Sequence, residues 1–244
     1  MDGNITTRDL TIATRIGALD WPRIEADLDA QGFAPTGPLL DDRECAALRD
    51  AYQDDARYRS RIVMARHNFG QGEYKYFAYP LPDLVRDLRH AAYARLAPVA
   101  SRWAERLGQA DRFPARLDEY LGRCHAAGQR RPTPLILKYG PGDYNCLHQD
   151  LYGDLVFPVQ LAVLLSAPGR DFDGGEFILV EQRPRMQSKA EVVPLRQGEG
   201  VIFAVHHRPR RGSRGFHRAV LRHGVSRIRM GQRVTLGIIF HDAT

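Results

Sequence analysis

No apolar run in this chain approaches the roughly 18 residues that a membrane-spanning helix needs, so a helical bilayer anchor is excluded. The opening residues, MDGNITTRDL, lack the charged-then-apolar pattern of a secretory leader, and the cytoplasm is the expected compartment. Cysteine is scarce. Cys45, Cys124 and Cys146 are odd in number and scattered, which fits reduced thiols better than a disulfide framework or a zinc-ribbon spacing. Cys146 lies two residues before a histidine, but a buried inert thiol is the plainer reading. No GxxxxGK phosphate loop occurs, and Ser166 and Ser213 have no nucleophile-elbow context, so nucleotide hydrolysis is not expected. Internal repeats, linkers and low-complexity tracts are also missing. With 244 residues, 43% hydrophobic and 26% charged, one globular domain is expected.

Acidic residues are missing from one place in particular. Between His206 and Arg233 there are nine arginines, at 208, 210, 211, 214, 218, 222, 227, 229 and 233, and no carboxylate. The net charge of +6 is therefore concentrated, and this segment needs an anionic neighbour or full solvation.

Residues 39–54 carry apolar positions at helical spacing behind an Asp pair that can cap the first turn. A second helix is expected from Pro82 to Leu107, where Leu84, Leu88, Ala92, Leu96, Val99 and Trp103 recur at three- and four-residue steps. Residues 61–79 between them read as extended, around a turn at Gly70 to Gly72. From Pro132 onward the texture changes to short β-like runs at 134–139, 158–166, 176–181, 191–195, 201–205, 217–223 and 233–241, separated by Gly and Pro. This predicts an α+β, mainly β fold, with residues 1–130 as a helical and extended support and residues 131–244 as a β-barrel or sandwich.

His148-Gln149-Asp150 follows the first of those strands. With nine His and twenty Asp, an His-x-Asp triplet arises by chance about 0.7 times, so the spacing alone decides nothing. Its chemistry is clear, because residues i and i+2 of an extended segment face the same way. Two such ligands and a second His from a distant strand make the 2-His-1-carboxylate arrangement of non-haem iron, which leaves coordination positions open for a cosubstrate and dioxygen. The partner expected here is His223, ten residues before Arg233. His217 starts the same strand too far away to share an ion with it, and His206 and His207 lack that offset to an arginine on a strand. Arg233 opens the apolar run VTLGIIF, where a lone charge is costly without an anion, and it could grip the distal carboxylate of 2-oxoglutarate. The metal-holding and catalytic set expected is thus His148, Asp150 and His223, with Arg233 as a cosubstrate-binding residue. His67 and His125 read as surface residues without partners.

At this point the chain resembles the 2-oxoglutarate and Fe(II) dioxygenases of prolyl 4-hydroxylase type. Tyr139, Gly142, Tyr144, His148 and Asp150 match the front half of that pattern, and His223, Gly231 and Arg233 match the back half. Tyr144 stands one residue earlier than the usual aromatic and leaves Asn145 in its place. More narrowly, residues 148–188 and 222–243 are similar to a bacterial branch suspected of oxidative demethylation of damaged nucleic acid. The resemblance spans roughly residues 40 to 244. It implies a double-stranded β-helix (jelly-roll, cupin-like) with N-terminal helices packed on one side. It also implies Fe(II), 2-oxoglutarate and dioxygen as cofactors, with ascorbate as an optional reductant, and makes Tyr139 a hydroxyl donor to 2-oxoglutarate. A core tyrosine is the alternative for Tyr139.

The substrate is argued from charge and aromatics. Arg183, Arg185 and Lys189 make one basic loop, and residues 206–214, with Arg208 and Arg211, make another, which suggests a polyanion such as DNA or RNA with alkylated bases. Tyr74, Tyr76 and Tyr152 offer stacking faces for an extruded base, although tyrosines at alternating spacing are more often core. Asn145, Tyr152, Arg185, Arg208, Arg211 and Tyr76 are the substrate candidates. A prolyl-type protein hydroxylase, a small-molecule hydroxylase and a non-catalytic metal- or anion-binding β-barrel are the competing readings, and the oligomeric state is left open.

Overall fold

The computed structural model describes residues 10–182, 187–213 and 215–244. Short polar side chains set the starts of its first helices by accepting otherwise unpaired N–H groups. Thr11 caps α1 (Ile12–Gly17) and Asp20 caps α2 (Trp21–Gln31). At α3 (Asp42–Ala51), Asp41 and Glu44 exchange reciprocal bonds in a capping box, as the Asp pair foretold. α4 (Asp83–Arg106) is the expected long helix, and α5 (Leu117–Ala126) follows it. None of these helices is long and apolar enough to cross a membrane.

The strands are β1 (Phe33–Pro38), β2 (Tyr58–Val63), β3 (Gly70–Gln71), β4 (Glu73–Phe77), β5 (Leu135–Tyr139), β6 (Tyr144–His148), β7 (Val159–Leu164) and β8 (Phe172–Gly174). They continue with β9 (Phe177–Gln182), β10 (Lys189–Val193), β11 (Glu199–Ala204), β12 (His207–Gly212), β13 (Gly215–Val225), β14 (Ile228–Gly231) and β15 (Arg233–Ile238). A seven-stranded sheet runs β1-β11-β7-β15-β5-β4-β2, and a smaller sheet runs β10-β9-β13-β6-β3 with β12 paired to β13. The two sheets are the walls of a double-stranded β-helix. β1, β2 and β4 from the N-terminal region extend both ends of the larger wall. β1 carries Pro35 and Pro38 and lies at the sheet edge, where a missing N–H donor is tolerated.

The period of two along β15 explains how the larger wall serves two masters. Val234, Leu236 and Ile238 pack into the main core with Leu88, Tyr93, Leu96 and Trp103 of the helices. Arg233, Thr235 and Gly237 alternate with them and line a cavity between the sheets.

Three sequence expectations change here. Of the expected basic loop at 206–214, residues 207–212 are strand β12, which pairs with β13 from His207 to Gly212, and Arg214 lies outside the described residues. Cys146 is exposed, while Cys45 and Cys124 are the buried thiols. His125 has a partner, with Nε2 at 2.8 Å from the Asp242 carboxylate.

Candidate active site

β6 and β13 pair antiparallel with His148 directly opposite His223, so a residue pair 75 apart in sequence becomes a cross-strand neighbour. The register slips between this pair and Val225–Asn145, placing one extra residue in β6. That bulge leaves Cys146 and Leu147 exposed while Asn145 and His148 line the cavity. Asp150 lies just beyond the strand end and is 7% exposed. Its Oδ1 is 3.4 Å from His148 Nε2 and its Oδ2 is 3.3 Å from His223 Nε2. One ligand atom from each of the three side chains falls within 4.8 Å of the others, a spacing that can hold a single metal ion.

The electrostatics suit that role. Burial pushes the Asp150 carboxyl up, but the two imidazoles overcome this and hold it well below the usual carboxylate range. Burial lowers His223, which keeps the ring neutral with a lone pair to offer. His148 Nδ1 is 2.8 Å from the Cys146 carbonyl and must donate to it, which turns Nε2 towards Asp150 as the ligand atom. Burial lowers this ring's pKa, but Asp150 more than offsets that and raises it, so an ion would take the place of a proton there.

Deeper in the cavity, Arg233 on β15 pairs directly with Tyr139 on β5. Gly231, which the family pattern places two residues earlier, has φ +77°, and a Cβ there would meet the Asp171 carbonyl at 2.1 Å. Glycine is required for the turn that delivers Arg233. The guanidinium is 3% exposed, bonds Thr235 Oγ1 at 2.6 Å, and has no carboxylate partner among the described residues. Its Nε has no hydrogen-bond partner among the described residues. Burial pulls its pKa down to about 10, which leaves it charged at neutral pH. Tyr139 is fully buried, and its hydroxyl accepts from Asn145 Nδ2 at 3.3 Å. A buried cation with unused donors, in the same cavity as three metal-type ligands, has the chemistry to hold a carboxylate there.

The cavity, about 180 Å³, has mainly apolar walls that include Phe69, Tyr74, Leu137, Phe177 and Phe203. Of the expected substrate residues, it includes Asn145 and Tyr152. Tyr76 sits behind Tyr152, edge to face at 6.2 Å, as core rather than lining. Arg208 lies outside this cavity, 3% exposed and bound to Glu181 at 2.5 Å and to the Asp29 carbonyl. Arg211 is exposed on β12, outside the cavity lining. Arg185, with Arg183, lies outside the described residues, and Lys189 of the same expected loop pairs with Glu191. Gln160 and Thr235 were missed. The signal for Gln160 was available, as a lone amide inside the apolar run PVQLAVLLS.

Residues 72–243 match a protein family described as an oxygenase catalysing oxidative methylation of damaged DNA. The chain belongs to that family. The oxygenase is also 48% identical, over 189 residues and 78% of either chain, to uncharacterised proteins from two strains of Mycobacterium tuberculosis. Among solved structures it shares its fold with a Pseudomonas putida prolyl-4-hydroxylase, at TM-score 0.53 and 16% identity over 93% of this chain and 96% of that one. A 2-oxoglutarate-Fe(II) oxygenase family member from Burkholderia pseudomallei gives the same TM-score and identity over 92% and 93%.

Proposed function

We propose that this oxygenase is a 2-oxoglutarate- and Fe(II)-dependent dioxygenase that removes N-linked methyl groups from alkylated nucleic acid bases. The observation that carries the reading is Arg233, a buried guanidinium with no carboxylate partner among the described residues, lining the same cavity as the His148, Asp150 and His223 cluster. Those three side chains would hold the iron, and Arg233 with Thr235 and Tyr139 would hold the far carboxylate of 2-oxoglutarate. Iron with 2-oxoglutarate and dioxygen supplies the power to replace a C–H hydrogen by hydroxyl. The protein's share is positioning and exclusion of water, which the apolar cavity walls favour. A hydroxylated N-methyl group then loses formaldehyde and leaves the unmodified base, so oxygen insertion takes methyl away.

The nucleic acid part of the reading rests on the family's description and on the sorting of the arginines. Arg208 and Arg210 are bound to Glu181, Arg229 to Asp173, and Arg233 lies in the cavity. Arg211, Arg218, Arg222 and Arg227 are exposed, with no ion pair to any described residue. Arg222 precedes His223 on β13 and faces the opposite, exposed side of the sheet, and none of the four lines the cavity, so they offer phosphate contacts on the outer surface of the smaller sheet.

The test is succinate and formaldehyde formation with Fe(II), 2-oxoglutarate and a panel of methylated oligonucleotides, with peptides and metabolites in parallel. Oligonucleotides should raise turnover above the uncoupled rate, and binding should weaken steeply with salt. Stimulation by a peptide or a metabolite alone would replace this substrate by a prolyl-type or small-molecule one.

A further inference from the structure

β7 reads VQLAVL and is buried along its whole length, so a single amide there needs a reason. Gln160 is 5% exposed. Its Nε2 donates to Asp150 Oδ2 at 2.9 Å and lies 3.3 Å from His223 Nε2, while Oε1 has no partner. The amide cannot be turned round, since that would set carbonyl oxygen against carboxylate oxygen. With the NH2 group facing it, His223 Nε2 is an acceptor and the ring proton is on Nδ1, which has no partner of its own. Asp150 Oδ2, 3.3 Å from the same Nε2, favours a proton there, and the Gln160 amide is the group that opposes it, as the Cys146 carbonyl sets the tautomer at His148. On the other side of the carboxylate, the Tyr152 hydroxyl donates to Asp150 Oδ1 at 2.7 Å. Tyr152 is held in turn by Gln129, which donates to its backbone carbonyl and to that of Leu155. Gly153 has φ +112° and lets Gln129 approach to where a Cβ would be, at 2.5 Å.

We propose that Gln160 and Tyr152 are positioning residues that clamp the Asp150 carboxylate from its two sides, and that Gln160 also selects the metal-binding tautomer of His223. Both donors are neutral. The carboxylate therefore keeps its full charge for an ion while its plane is fixed, which an arginine or lysine in the same place would not allow. The inference rests on the reading of His148, Asp150 and His223 as metal ligands, and its test separates the two.

Mn(II) binding is measured by calorimetry on the full chain, with the visible spectrum of the Co(II) form and the melting temperature of the metal-free protein alongside. Gln160→Met keeps the volume and removes the amide. It should bind Mn(II) about 10- to 100-fold more weakly, the range typical of outer-shell partners, and alter the Co(II) spectrum. The metal-free melting temperature should be unchanged or higher, because a half-satisfied buried amide is gone. Tyr152→Phe loses only a hydroxyl and keeps the claim testable should Gln160→Met fold poorly, with about 10-fold weaker binding expected. Wild-type Mn(II) affinity and an unchanged Co(II) spectrum in both variants would overturn the clamp. Failure of the wild-type protein to bind Mn(II) or Co(II) would instead overturn the metal site.

Discussion

Arg89 and Arg233 are buried alike, at 1% and 3% exposure, yet their surroundings are opposite. Arg89 on α4 is saturated. It donates to the Ile239 carbonyl, the Tyr79 hydroxyl, the Asp242 carboxylate at 2.9 Å and the His241 carbonyl, and Asp242 also takes Tyr79 and His125. This cluster ties the long helix to the end of the larger sheet. Arg233 has one hydroxyl partner and two aromatic rings about 6 Å away. A buried cation without an anion costs stability unless something arrives to pair with it. The first region is finished by folding, and on the proposed function the second is finished by a ligand.

The comparison can be broken most forcefully at Asp242. Asp242→Ala strands Arg89 without a counter-charge and should cost about 3–5 kcal/mol of stability in urea denaturation, whereas a loss under about 1 kcal/mol would deny that the cluster holds the helix. At the other site, Arg233→Met should leave the ligand-free melting temperature unchanged or raised. It should weaken 2-oxoglutarate by about 100-fold in calorimetry, and a clear drop in ligand-free stability would contradict the idea of an unfinished site.

The next effect is smaller and depends on pH. His241 is fully buried, its Nδ1 accepts the Phe157 N–H at 3.2 Å, and burial together with Arg89 pulls its pKa down to about 4. The unfolded chain, with a histidine near 6.5, binds the extra proton first as pH falls. Stability from this group is therefore complete above about pH 6.5 and is lost towards pH 4, on the order of 2 kcal/mol by pH 5. His241→Asn should flatten that slope in denaturation curves at pH 7 and pH 5, and an unchanged slope would place the acid sensitivity elsewhere. Smallest is Tyr139→Phe, for which about 1 kcal/mol of 2-oxoglutarate affinity should disappear if the hydroxyl is a ligand donor. No change would return Tyr139 to the role of a core residue bonded by Asn145.

The legible parts of the sequence were those whose physics is local. The capping pair before α3, the helical spacing of α4 and the apolar runs after Pro132 all stand where periodicity put them. His148, Asp150 and His223 were brought together on paper by one spacing and one ten-residue offset, and the β6–β13 register supplies the contact. What was missed depends on distant partners. Residues 207–212 looked like a basic loop because the carboxylate that neutralises Arg208 and Arg210 belongs to Glu181, on another strand. β1 was hidden by two prolines that only an edge position excuses. The exposure of Cys146 follows from a bulge in β6 that no period-two pattern announces.

The most direct measurement is an anaerobic titration of 2-oxoglutarate into the Fe(II)-loaded protein, following the visible charge-transfer absorption that chelation of ferrous iron by a 2-oxo acid produces. The wild-type protein should develop the band and saturate, Arg233→Met should need about 100-fold more 2-oxoglutarate, and His148→Ala should give no band. A wild-type protein that develops no band, or an Arg233→Met variant that saturates at the same concentration as wild type, would contradict the account.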